Sequence, residues 1–121
     1  MNTKPILAIT MGDPAGIGPE IIIKALSLKE TYDKCAPIVT GDAAVMKYAA
    51  QQAGSELAIN AVSDVKDAKF QYGTIDVYDL HCIDMQTFKQ GEVAAQCGDA
   101  AFKAVVKAIE LAMAGEVDGT V

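Results

Sequence analysis

The chain has 121 residues, 51% hydrophobic and 21% charged, the balance of one water-soluble globular domain that buries roughly two-thirds of its unfolded surface. Its net charge is −6 and its ten Lys and Arg are scattered, so no basic patch neutralises phosphates, which argues against nucleic acid and against an anionic membrane surface. No run approaches the roughly 20 apolar residues that span a bilayer.

The first predicted element is a strand over about residues 5–11, built on the apolar run Ile6-Leu7-Ala8-Ile9-Thr10. Met11-Gly12-Asp13-Pro14-Ala15-Gly16-Ile17-Gly18 then reads as a tight loop, and Pro19-Glu20 opens a helix over about 19–28. Pro19 suits the first helical position, where its missing N–H would be unpaired anyway, and Glu20 suits the positive end of the helix. Gly12, Gly16 and Gly18 are read as left-handed turn positions that also leave room for close approach. A loop of this kind can present backbone amides to an anionic ligand.

Ala36-Pro37-Ile38-Val39-Thr40-Gly41 predicts a second strand. Asp42 caps a helix from Ala43 to Ala53, closed by Gly54. Leu57 to Val62 is a third strand, and Ser63 to Lys69 is polar enough for a turn or a short helix. Ile75-Asp76-Val77-Tyr78-Asp79-Leu80 alternates apolar and polar, which predicts a strand with one solvated face. Residues 83–91 read as a loop. Glu92 to Ala114 is the longest helix, with apolar positions Cys97, Ala101, Ala104, Val105, Ala108, Leu111 and Ala112 at three- and four-residue spacing. Gly98 within it costs about 1 kcal/mol against Ala and suits a place where another backbone packs close. Gly115 ends this helix, and residues 116–121 read as a strand just beginning. Strands alternating with helices predict one α/β unit over 1–121 with a largely parallel sheet. The unfinished last strand suggests the amino-terminal piece of a longer protein.

The segment TMGDPAGIGPEI resembles the amino-terminal signature of the 4-hydroxythreonine-4-phosphate dehydrogenases and their threonate and erythronate 4-phosphate dehydrogenase relatives. More distantly, GIGPE is similar to a loop of isocitrate and isopropylmalate dehydrogenases. Gly91 to Val121 resembles the family's long helix leading into a central strand, and Gly41-Asp42 after the second strand agrees as well. The resemblance implies part of a three-layer sandwich of the isocitrate/isopropylmalate dehydrogenase-like fold. It also implies a homodimer using NAD and a divalent metal (Zn, Mg, Mn or Co). The activity implied is oxidation of 4-phosphooxy-L-threonine with decarboxylation, in pyridoxal phosphate biosynthesis. The alternatives are a threonate or erythronate 4-phosphate substrate, or a non-catalytic module that binds an anion.

Site residues follow from the same loop. Its spacing is G-x3-G-x-G, which is not the dinucleotide fingerprint. The glycines serve either a simple strand-to-helix turn or a ligand-facing loop. The resemblance favours the second, with Gly12, Asp13, Gly16 and Gly18 nearest a small phosphorylated hydroxy acid. Asp13 either bonds its own backbone or orients a substrate hydroxyl or a Lys. Asp42 reads as a cap, and Met11, Met46, Met85 and Met113 as core or gap-fillers.

His81, the only histidine, has Asp79, Cys82 and Asp84 nearby, too few converging ligands for a metal, and reads as a hydrogen-bonded strand-end residue. The family's metal histidines are expected outside this chain, so the chain alone is expected to be inactive. No G-x-S-x-G elbow, Cys–His pair or Walker lysine appears. Cys35, Cys82 and Cys97 form no CxxC pair, and the amino terminus lacks the apolar core of a secretory signal. Both features predict reduced thiols and a cytoplasmic protein.

Overall fold

The computed structural model describes residues 4–89, 91–92 and 94–121. The elements in chain order are β1 (Ile6–Thr10), α1 (Gly18–Leu26), α2 (Lys29–Lys34), β2 (Ala36–Gly41), α3 (Ala43–Gln52), β3 (Ala58–Val62), a 3-10 turn at Val65–Asp67, β4 (Thr74–Asp79), α4 (Ala95–Met113) and β5 (Gly119–Thr120). The strands form one parallel sheet in the order β3-β4-β2-β1-β5.

Connections β1 to β2 and β2 to β3 step toward one side of the sheet, and β3 to β4 and β4 to β5 step back. Right-handed crossovers must therefore place their connections on opposite faces. Helices α1 and α3 indeed pack together on one face, while α4 crosses β1 and β2 on the other. The result is three layers. The period of two along each strand divides its side chains between them: Ile9, Val39, Ile75 and Val77 join the α1/α3 core, and Ala8, Ile38 and Val62 join the α4 core. Thr40 Oγ1 adds a 2.9 Å bond to Ala104 O, fixing α4 over β2.

Several expectations are corrected. The first helix stops at Leu26, where Ser27 Oγ bonds Ile23 O at 2.6 Å and Leu28 turns extended. The short α2 that follows buries only Tyr32, so it had no periodicity to read. Strand β4 has no freely solvated face. Asp76 is 1% exposed, and its carboxylate accepts from Asn60 Nδ2 (2.8 Å), Lys69 N (3.0 Å) and Phe70 N (2.8 Å). A buried carboxylate of this kind persists because its charge is fully hydrogen-bonded.

Helix α4 begins at Ala95, and its buried stripe is Cys97, Ala100, Ala104, Ala108 and Leu111. Val105 faces solvent instead, and nothing lies within 4 Å of a Cβ built at Gly98. Met11 and Met46 are core residues, but Met113 is 84% exposed. The predicted loop and helix start fall partly on Gln90 and Val93, outside the described residues.

Candidate functional site

The glycine loop leaves the carboxyl end of β1, the edge at which ligands bind open α/β sheets. Met11 prolongs the ladder through its N–H to Thr40 O at 3.0 Å, and its side chain is fully buried. That packing requires Gly41 on the neighbouring strand, where a Cβ would lie 2.6 Å from Met11 Cβ.

The three loop glycines do three different jobs. Only Gly12 is left-handed, with φ +77°, and nothing lies within 4 Å of a Cβ built on it. Gly18 opens α1, and a Cβ there would run into the carbonyl oxygen of Met11. Gly16 needs neither an unusual φ nor clearance, since its nearest neighbour would be Asp13 O at an ordinary 3.4 Å.

Asp13 makes a turn on its own backbone: Oδ1 accepts from Ala15 N at 2.9 Å, and Gly16 N donates to Asp13 O at 3.0 Å. The side chain remains exposed, as are Ile17 and Glu20 further along the segment. Underneath, Pro14 and Ala15 are buried, and Gly91 N donates to Ala15 O at 2.9 Å. Cys97 of α4 packs there too; burial pushes its thiol up first, with the charge of Asp13 adding to it and the backbone of Ala15 opposing. The loop is thus anchored below and open above.

A second turn region lies where β2 and β4 adjoin and their connections depart to opposite faces. Asp42, 2% exposed, caps α3 by accepting from Ala44 N (2.9 Å) and Val45 N (3.2 Å), and its other oxygen accepts from Ile83 N (3.0 Å). Asp79 returns the connection, accepting from Ala43 N (3.2 Å) and His81 N (3.1 Å). Leu80 N donates to Gly41 O at 2.8 Å.

His81 lies just past the strand with a left-handed φ of 49°, exposed, its Nδ1 3.4 Å from Asp79 Oδ2. Cys82 beside it has its thiol pushed up by burial and by Asp42 and Asp79, against the pull of Lys103. These groups hold loops. Among the described residues, no three His, Cys, Asp or Glu side chains gather as a metal site. No helix is long and apolar enough to cross a membrane, among the described residues.

Comparison with known proteins places this geometry. The family model described as pyridoxal phosphate biosynthetic protein PdxA matches residues 33–121. A Clostridium botulinum protein provisionally named D-threonate 4-phosphate dehydrogenase is 46% identical over 118 residues. One of the same name from Symbiobacterium thermophilum is 47% identical over 118 residues. Each match takes in 98% of this chain and 35% of the relative, so the chain spans about a third of their length. The crystal structure of a 4-hydroxythreonine-4-phosphate dehydrogenase from Burkholderia phymatum superimposes with a TM-score of 0.94 at 39% identity, over 98% of this chain and 36% of that one. The partial three-layer sandwich is therefore a portion of the isocitrate/isopropylmalate dehydrogenase-like fold. The chain belongs to the PdxA family.

Proposed function

We propose that this chain is the amino-terminal portion of an NAD- and divalent-metal-dependent dehydrogenase that oxidises the 3-hydroxyl of a four-carbon 4-phosphorylated acid, with loss of carbon dioxide. The observation that carries the reading is the PdxA family match over residues 33–121. The substrate proposed first is 4-phosphooxy-L-threonine, which puts the enzyme in pyridoxal phosphate biosynthesis and follows the name of the solved relative from Burkholderia phymatum. A second reading, D-threonate 4-phosphate, is favoured by the higher identity of the relatives bearing that name.

When bound, NAD accepts hydride and the metal polarises the substrate hydroxyl and the developing carbonyl. The role proposed for this chain is to form one wall of the substrate cleft with Gly12, Asp13, Gly16 and Gly18. Asp13 puts one carboxylate on this rim, while Glu20 is paired with Lys24 at 3.6 Å, so the rim suits a substrate hydroxyl or ammonium better than a phosphate. Asp13 Oδ1 is engaged by Ala15 N, which leaves Oδ2 to accept a hydrogen bond that orients the ligand. The phosphate and metal then fall to residues of the full-length polypeptide outside this chain. The chain alone is accordingly inactive, and the whole enzyme is a cytoplasmic homodimer.

The test is NADH formation by the full-length enzyme with each substrate, in turn with Mg, Mn, Zn or Co. A higher kcat/KM for the ammonium-bearing substrate selects the first reading, and a higher value for the hydroxy acid selects the second. No NADH with either substrate and any metal refutes both.

A further inference from the structure

Helix α4 carries more apolar surface than this chain covers. Its inner stripe is buried, and its charged residues fall in one narrow row, Asp99, Lys103, Lys107 and Glu110. Steps of three and four residues keep such a row on one side of a helix. The row leans toward β4, because Lys107 Nζ lies 5.3 Å from the centroid of the Tyr78 ring. The outer side is apolar: Phe102 is 68% exposed, Val105 45%, Ile109 49% and Met113 84%. A groove of about 330 Å³ between Leu80 and the helix borders this surface, lined by Phe102 and Val106 and by Lys103, Lys107 and Glu110 of the charged row. A helix apolar on its inner and outer sides alike has the composition of one buried inside a larger body.

We propose that the outer face of α4, from the Leu80 groove to Met113, is the docking surface for a helix contributed by the remaining part of the full-length polypeptide. Residues 102, 105, 109 and 113 make a ridge at the spacing by which one helix seats in the grooves of another. The open space at Gly98 on the first turns of α4 lets a second backbone come close. The choice of occupant rests on length. Relatives match 98% of this chain with 35% of their own length, and the solved Burkholderia phymatum protein with 36%. Most of their polypeptide is therefore free to cover what this portion leaves bare. The proposal depends on the chain being one portion of a longer enzyme.

Methionine oxidation tests it without any substitution. The full-length protein is exposed to dilute hydrogen peroxide with N-acetylmethionine amide as a fully exposed standard. Sulfoxide at Met113, Met46 and Met11 is then followed by peptide mass spectrometry. Met46 and Met11 are 0% exposed and set the buried rate. The expected result is Met113 oxidising roughly tenfold or more slower than the standard, at every protein concentration. Met113 reacting at the standard's rate overturns the proposal, and so does protection that disappears on dilution, which would identify a second copy as the occupant. Intact mass separates the two levels of failure. A native polypeptide near 12.7 kDa refutes the longer enzyme and the docking together, whereas an exposed Met113 in a longer polypeptide refutes the docking alone.

Discussion

Two turns leave the same edge of one sheet and are held in opposite ways. Where β2 and β4 adjoin, the carboxylates of Asp42 and Asp79 reach across to each other's following segment, on Ile83 N and Ala43 N. After β1, the turn is made by backbone: a left-handed Gly12, an Asp13 that closes on Ala15, and a Gly18 pressed against Met11 O. The strand-end crevice that usually receives ligand in such sheets is therefore laced shut at β2/β4. The β1 turn leaves its glycines half-buried and one exposed carboxylate, that of Asp13, on the rim. Acid residues at the end of a parallel strand are thus not evidence of a site until their hydrogen bonds are traced.

The largest effect should come from the tightest contact. Gly18→Ala sets a Cβ against the Met11 carbonyl, backbone against backbone with no flexible end to give way. Overpacking of this kind costs about 3 kcal/mol. Urea unfolding of the variant should show a midpoint far below wild type, or no cooperative transition at all. A stability within experimental error of wild type would mean that the loop can shift, and the contrast between the two turns would dissolve.

Next is Asp42→Ala, which removes the acceptor for three backbone N–H groups, on Ala44, Val45 and Ile83. Loss of the cap and of the loop tether together should cost about 2 kcal/mol. Asp42→Asn keeps one acceptor oxygen and should fall between. If Asn matches Ala, the cap contributes little and the tether to Ile83 carries the effect.

Much of this was legible in the residues. The apolar runs marked β1, β2 and β3, and Asp42 after Gly41 marked a capped helix, because these signals are local. What stayed hidden depended on contacts distant in sequence. The alternation in β4 could not reveal that Asp76 is covered by Asn60 and the backbone of Lys69 and Phe70. The three loop glycines looked alike, yet one serves a dihedral angle, one a close approach and one neither. The role of α2 was equally invisible, since a six-residue helix with one buried side chain has no repeat to detect.

A smaller effect isolates the part of the molecule that belongs to neither turn. Tyr32 anchors α2 by donating its hydroxyl to Thr74 O at 2.9 Å. Its phenol is pushed up from 10.0 to about 12, chiefly by burial and then by the nearby Asp76 and Cys35. Because the folded state holds this proton to higher pH than the unfolded chain, the contribution is complete below pH 10. It is lost as pH rises through about 12. Stability measured from pH 9 upward should therefore fall more steeply for wild type than for Tyr32→Phe. Parallel curves would show that the phenol is not shifted, while leaving both turns as described.

The smallest change in stability is expected where the most is at stake for function. At Gly16 the φ is ordinary, and an added Cβ would meet Asp13 O at 3.4 Å. Gly16→Ala should leave the unfolding midpoint within about 0.5 kcal/mol of wild type. If the rim faces substrate, that one methyl group intrudes on the ligand. KM for the phosphorylated acid should then rise in the full-length enzyme while the KM for NAD stays fixed. Gly12→Ala cannot separate these causes, because its left-handed backbone makes any residue with a Cβ costly by about 1 kcal/mol. Gly16 is the loop glycine at which a kinetic change without a stability change has only one source, a molecule bound on the rim. Unaltered kinetics in Gly16→Ala would assign the whole turn to folding and move the substrate wall elsewhere.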